Sequence, residues 1–177
     1  MSTATITTST RHVVIDSPIG PLTLVRDDDG LTGLYYPGHW TRPDEATFGP
    51  RAEPSDDHGF DEAIAQLREY FAGERQEFDL PTDPLGSEQA RQVWQLLAEI
   101  PYGRTTTYGA LARRIGGGIS PRAIGGFVGH NPLSIFIPCH RVVGSTGKLT
   151  GYAGGLDRKQ RLLELEKSVP VAPQALW

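Results

Sequence analysis

The chain carries a single cysteine, Cys139, followed at once by His140 in the run "IPCHRVVG" at residues 137–144. Two readings of that thiol are open. Free cysteine commonly serves as a small buried hydrophobe. Beside a base it is a nucleophile, because the thiolate is the reactive form and an ordinary thiol is mostly protonated near neutral pH. Adjacent side chains in an extended segment point to opposite faces, so adjacency alone does not put the imidazole on the sulfur. A lone cysteine also excludes an intrachain disulfide and any multi-cysteine zinc site, and it fits a reducing compartment.

The elements that must position this pair are short. "HVVID", "LTLVR" and "LTGLYY" are β-branched or apolar runs parted by turn formers, and they predict a small antiparallel meander. Residues 37–59 are polar and proline-rich with no period, which predicts a long mobile loop. Over residues 60–74, Ala63, Ile64, Leu67, Tyr70 and Phe71 recur at helical spacing, so a helix there can cover one sheet face. The run "DLPTDPLG" divides the chain into an N-terminal α/β domain at 1–83 and a second domain at 84–177.

Beyond that boundary the pattern is helical. Residues 87–100 predict a helix capped by Ser87, with Val93, Trp94, Leu97 and Ile100 inward. "YGALARRIG", a glycine turn and "PRAIGGFVGHN" have helix-turn-helix spacing, with Ser120 as cap and Pro121 at the first helical position. The second of these helices holds Gly125, Gly126 and Gly129, each about 1 kcal/mol worse than alanine in a helix interior. Close packing on a neighbouring helix is one cause; a small-residue face laid against a nucleic-acid backbone, with Arg122 projecting, is the other. "SIFIP" reads as an extended run delivering Cys139, and residues 144–155 as a glycine-rich loop. A last helix starting at Asp157 groups Leu162, Leu163 and Glu166, and residues 1–10 and 168–177 read as loose ends.

Charge separates the halves. Residues 1–83 hold six Lys/Arg against sixteen Asp/Glu, net −10, whereas residues 84–177 hold eleven against five, net +6. The basic half, which contains the thiol, suits a polyanion if a shaped element accompanies the charge; a solvated cationic surface is the plainer alternative. No stretch approaches the roughly 18 apolar residues of a membrane span, and the start lacks a signal pattern, so a cytoplasmic protein is expected.

"IPCHRVVG", preceded by "GHNP" and followed by "GYAGG" and "LLELE", strongly resembles the O6-alkylguanine-DNA alkyltransferases, also called methylated-DNA-protein-cysteine methyltransferases. The likeness runs from about residue 87 to 167, and the N-terminal part with its "DSPIGPL" is similar to the family's first domain. It implies an α+β fold of two domains. The N-terminal one is a small antiparallel sheet with a helix (ribonuclease H-like), and the C-terminal one is mostly helical with a winged-helix-like helix-turn-helix.

The resemblance further implies that an alkylated guanine, and alkylated thymine as a second substrate, is flipped from duplex DNA and dealkylated irreversibly, consuming the protein. By this likeness Cys139 is the acceptor, His140 the base acting through a water, Glu166 its orienter and Asn131 the stabiliser of the turn before the reactive segment. Tyr108 is the donor to a ring nitrogen of the base, Tyr152 a pocket wall, and backbone groups near Val142 and Ala153 read the guanine edge. Arg122 fills the vacated stack, with Ala123, Gly125 and Gly126 on the minor-groove face. No cofactor or metal is implied, since the N-terminal cysteines that bind zinc in some members are missing. A monomer, with cooperative binding on DNA as an option, is the expected state. Ala153 departs from members with a serine able to bond the guanine oxygen, which leaves that recognition to backbone donors. Arg141 and Val143 are assigned to structure. The rival readings are a non-catalytic binder of alkylated DNA, which in this family lacks the cysteine, a helix-turn-helix regulator, and a Cys-His hydrolase.

Overall fold

The structure is a computed structural model that describes residues 9–170. Strands β1 (Arg11–Ile15), β2 (Leu22–Arg26) and β3 (Leu31–Tyr35) form an antiparallel meander in that order. The register sets Val13 opposite Leu24 and Leu24 opposite Leu34, and this cross-strand row is fully buried. Helix α1 (Asp61–Phe71) contributes Ala63, Ile64, Leu67 and Tyr70 to the same apolar cluster, as its spacing predicts. Each large side chain withdrawn from water there contributes about 1.5–3 kcal/mol.

The expected mobile loop at 37–59 is instead tied down. Short 3-10 turns occupy Glu45–Phe48 and His58–Phe60, and the His12 amide donates to Pro50 O while the Ala52 amide donates to His12 O. Phe48 stacks on Tyr35 at 5.2 Å between ring centres and builds a small second core with Val25. Backbone bonds and one aromatic anchor leave no periodic trace in the sequence.

The C-terminal part begins with α2 (Glu88–Ala98), whose Ser87 cap accepts from the Ala90 amide at 3.1 Å. β4 (Arg104–Thr107) follows, then α3 (Tyr108–Ile115) and α4 (Pro121–Gly129). Between the two helices Gly116, Gly117 and Gly118 all adopt positive φ, a left-handed run that side chains resist. Ser120 caps α4, accepting from the Ala123 amide at 3.1 Å, and Pro121 opens it. Strand β5 (Val142–Val143), helix α5 (Leu156–Leu165) and strand β6 (Val169–Pro170) complete an α+β fold.

Three local expectations need correcting. The run at 134–138 is not extended; residues 134–136 form a turn, and Cys139 sits in a 3-10 turn at Cys139–Arg141. Helix α5 starts at Leu156 after Gly155, which leaves Asp157 in the first turn, where its charge still suits the helix dipole. The expected tail begins with β6, which pairs in parallel with β4, as β5 does on β4's other side, so β4 is the centre of a second sheet. The remaining loose ends, residues 1–8 and 171–177, lie outside the described residues.

One apolar cluster runs from Val13 through Trp94 and Ile124 to Leu162, so both parts share a core. β3 also touches the reactive segment directly, with the Leu34 amide donating to Pro132 O at 2.8 Å. No helix among the described residues is long and apolar enough to cross a membrane.

Candidate active site

The path from α4 to Cys139 is a strained, stapled turn. Ile135 has φ +72°, unfavourable for a β-branched residue, so the surroundings must hold it. Buried Asn131 does this with both ends of its amide: Nδ2 donates to Ile137 O at 2.8 Å and Oδ1 accepts from the Leu133 amide at 3.0 Å. The turn delivers Cys139, 5 % exposed, to the wall of a cavity of about 60 Å³. Tyr108, Asn131, Ser134, Tyr152, Ala153 and Trp40 line it with the thiol.

His140 points elsewhere, into a buried hub centred on Glu166. Its Nε2 lies 2.7 Å from Glu166 Oε1. Tyr70 OH donates to the same oxygen at 2.7 Å, while Arg141 donates from Nε to Oε2 and from Nη2 to Oε1, each at 2.9 Å. Arg141 Nη1 also donates to Ile100 O at 2.6 Å. Burial alone would raise the Glu166 pKa, but His140 and Arg141 outweigh it and hold the carboxyl at about 2. An anionic carboxylate only accepts, so His140 Nε2 carries the hydrogen and Nδ1 keeps its lone pair. That Nδ1 is buried and has no protein hydrogen-bond partner.

Burial lowers the His140 pKa, against the opposite pull of Glu166, so the ring is neutral and able to take a proton. Burial likewise pushes the Cys139 thiol up, outweighing smaller downward effects from Asn131, Lys159 and Ser134. The resting pair is therefore thiol plus imidazole. A thiolate has to be made during the reaction, which is work for a general base.

The glycine-rich loop over this cavity is clamped from both sides. Lys159, fully buried, donates from Nζ to Thr150 O at 2.9 Å and Gly151 O at 3.2 Å, and burial pulls its pKa down to about 8. Tyr152 OH pairs with Tyr36 OH at 2.8 Å, and a Cβ on Gly154 would fall 2.3 Å from the Tyr36 ring, which is why that position is glycine. Tyr108 OH donates to Thr150 O at 3.2 Å, and burial raises its pKa, so the phenol keeps its proton.

Helix α4 turns Ile124 and Val128 inward and leaves Arg122, Ala123 and Gly126 exposed. The two causes weighed for its glycines now separate. A Cβ on Gly126 would meet nothing within 4 Å, and one on Gly125 would touch only Tyr108 at 3.8 Å, so packing on a neighbouring helix requires neither. The bare face looks outward.

Of the residues singled out in the sequence, Cys139, Asn131, Tyr108, Tyr152, Ala153 and Gly125 meet at one cavity, and His140 and Glu166 pair beside it. Val142 does not line it; its amide is bonded to Cys139 O and its strand pairs with β4. Sequence reasoning missed Tyr70, Tyr36, Trp40 and Lys159, and gave Arg141 no specific partner. Tyr70 read as core from its spacing, and only the fold reveals a contact across 96 positions. A larger cleft of about 810 Å³ on the outer flank of α4, near Phe48, Trp94 and Phe127, contains none of Cys139, His140 or Glu166, so size does not identify the site.

Two family models match the chain. Residues 10–84 match the ribonuclease-like domain, and residues 88–168 the DNA binding domain, of 6-O-methylguanine DNA methyltransferase. A methylated-DNA–protein-cysteine methyltransferase of Mycobacterium tuberculosis is 48 % identical over 171 residues, covering 92 % of this chain and 96 % of that one. The protein of the same name from Methanosarcina acetivorans is 43 % identical over 157 residues, covering 89 % and 98 %. Among solved structures, Mycobacterium tuberculosis OGT in complex with DNA superposes with a TM-score of 0.79 at 45 % identity, covering 94 % of this chain and 98 % of that one.

Proposed function

Because the chain belongs to the 6-O-methylguanine DNA methyltransferase family, we propose that it repairs DNA by moving the alkyl group of an O6-alkylguanine onto Cys139, once per protein molecule. The observation that carries this reading is the neutral His140, held through Nε2 by Glu166 with Nδ1 left basic, immediately after a protonated thiol on a cavity wall.

The exposed small face of α4 lies in the minor groove, and Arg122 enters the stack as the damaged base leaves, offsetting part of the few kcal/mol that extrusion costs. In the cavity the Cys139 proton passes through a bridging water to His140 Nδ1. Sulfur forms a bond to the alkyl carbon as the carbon–O6 bond breaks. Charge arriving on the guanine is met at a ring nitrogen by the Tyr108 hydroxyl, which has kept its proton for that purpose. The imidazolium is stabilised by the Glu166 carboxylate, while Tyr70 and Arg141 keep that carboxylate fixed. The thioether product has no leaving group, so the site is finished after one event. Guanine-edge recognition falls to backbone groups of the loop around Ala153, where a side-chain hydroxyl is lacking. O4-alkylthymine is accepted as a second substrate, and the protein acts as a cytoplasmic monomer.

Incubation with duplex DNA carrying a labelled O6-methyl group tests the reading. Label should reach the protein up to one equivalent and not reach Cys139→Ser; transfer surviving in Cys139→Ser, or repeated turnover, overturns it.

A further inference from the structure

We propose that Trp40 is a specificity-determining residue of the acceptor site, its indole packing against an O6 substituent when that substituent is a flat aromatic group. The inference rests on the alkyl-transfer reading. Among the described residues Trp40 is the one member of the N-terminal part that lines the Cys139 cavity. Its root is fixed to both flanks of the opening. The Trp40 amide donates to Ala153 O at 3.2 Å on the glycine loop, and the next residue, Thr41, donates from Oγ1 to Gly129 O at 2.8 Å at the end of α4.

The ring lies over Gly129, where an added Cβ would come within 3.4 Å of it, and edge-on to His130 at 6.1 Å between centres. Yet Trp40 is 67 % exposed, whereas Asn131, Ser134, Tyr152 and Cys139 are all buried. The cavity is small, about 60 Å³, so a purine with a bulky O6 substituent presses on its walls. Trp40 is the wall with both a fixed root and a free ring. A methyl group adds a single carbon to the guanine oxygen and brings no ring to pair with the indole. A flat aromatic substituent does, and on covering the exposed indole it gains the stacking preference of paired rings.

The test compares single-turnover transfer to Cys139 from one duplex sequence carrying either O6-methylguanine or an O6-arylmethylguanine, in the wild type, Trp40→Ala and Trp40→Phe. Using the same duplex cancels any contribution of Trp40 to DNA affinity in the ratio of the two rates. Trp40→Ala should lower the ratio of arylmethyl to methyl transfer about tenfold, whatever it does to the two rates together, a loss consistent with one aromatic contact, and Trp40→Phe should restore most of that ratio. An unchanged ratio, or one that rises, overturns the assignment. Failure of the wild type to take methyl from DNA would instead strike at the alkyl-transfer reading itself.

Discussion

The hub around Glu166 and the outer face of α4 are built by opposite rules. In the hub the buried carboxylate takes four hydrogen bonds, from Tyr70, His140 and two nitrogens of Arg141. On α4 the side chains are stripped away, leaving glycine and alanine beside one exposed arginine. The difference separates two tasks. Moving a proton from a buried thiol requires groups already in place, because nothing from outside reorganises them in time. Receiving a duplex requires the opposite, a surface that remains incomplete until the partner supplies the other half.

The contrast can be broken most severely at the base. His140→Ala should slow alkyl transfer by about 10²–10⁴-fold with DNA affinity nearly unchanged. Its pH profile should also change form: the wild-type rate is flat through neutrality, since the imidazole pKa is lowered, whereas the variant rate climbs with pH toward the raised thiol pKa. Stopped-flow rates between pH 6 and 9, a span of about three units around the ordinary histidine and cysteine values, check both features. An unchanged profile would place the base elsewhere.

Glu166→Gln attacks the hub's stability. Removing one partner of a buried pair leaves Arg141 uncompensated and should cost about 3–5 kcal/mol, read from denaturant unfolding.

Acid should erode the same feature in the wild type. The folded carboxyl, at about 2, binds protons less readily than the unfolded one, so its stabilisation is complete above the ordinary glutamate value and is lost as pH falls toward 2. That loss is on the order of 3 kcal/mol. His140, with its folded pKa lowered, acts in the same direction: the unfolded ring takes a proton as pH drops below the ordinary histidine value, before the folded one does. Thermal midpoints measured down to acid pH should fall in the wild type and respond less in Glu166→Gln.

The recognition face gives smaller effects. Arg122→Ala should slow transfer from duplex DNA about tenfold, within the few kcal/mol that base extrusion involves, and should spare transfer from a free O6-alkylguanine base. Equal losses would remove its role in flipping. Gly126→Ala sharpens the comparison most finely. Its Cβ meets nothing within 4 Å, so the protein should gain up to about 1 kcal/mol of stability while its affinity for DNA weakens. Stabilisation without weaker binding would detach this face from the duplex.

Local chemistry was legible in the sequence wherever one segment carried its own instructions. Ser87, Ser120 and Pro121 mark helix starts, and the strands of the meander are bounded by turn formers. The thiol, its neighbouring imidazole and Asn131 stand in one short stretch with a specific order. Contacts between distant segments were not legible. β5 and β6 are two residues each and exist only by pairing with β4, so neither has room for an alternating pattern. Tyr70 and Tyr36 sit on apolar faces and read as core until the fold brings their hydroxyls to Glu166 and Tyr152. The run before Cys139 looked extended because it is β-branched and apolar, but the Asn131 staple bends it into a turn.

Mass spectrometry of the intact protein after exposure to excess duplex containing O6-methylguanine, followed by peptide mapping, tests the central claim most directly. The account predicts one added methyl group per chain, confined to the peptide bearing Cys139, with no further change as damaged DNA is added. An unmodified Cys139, or a methyl group on any other residue, would contradict it.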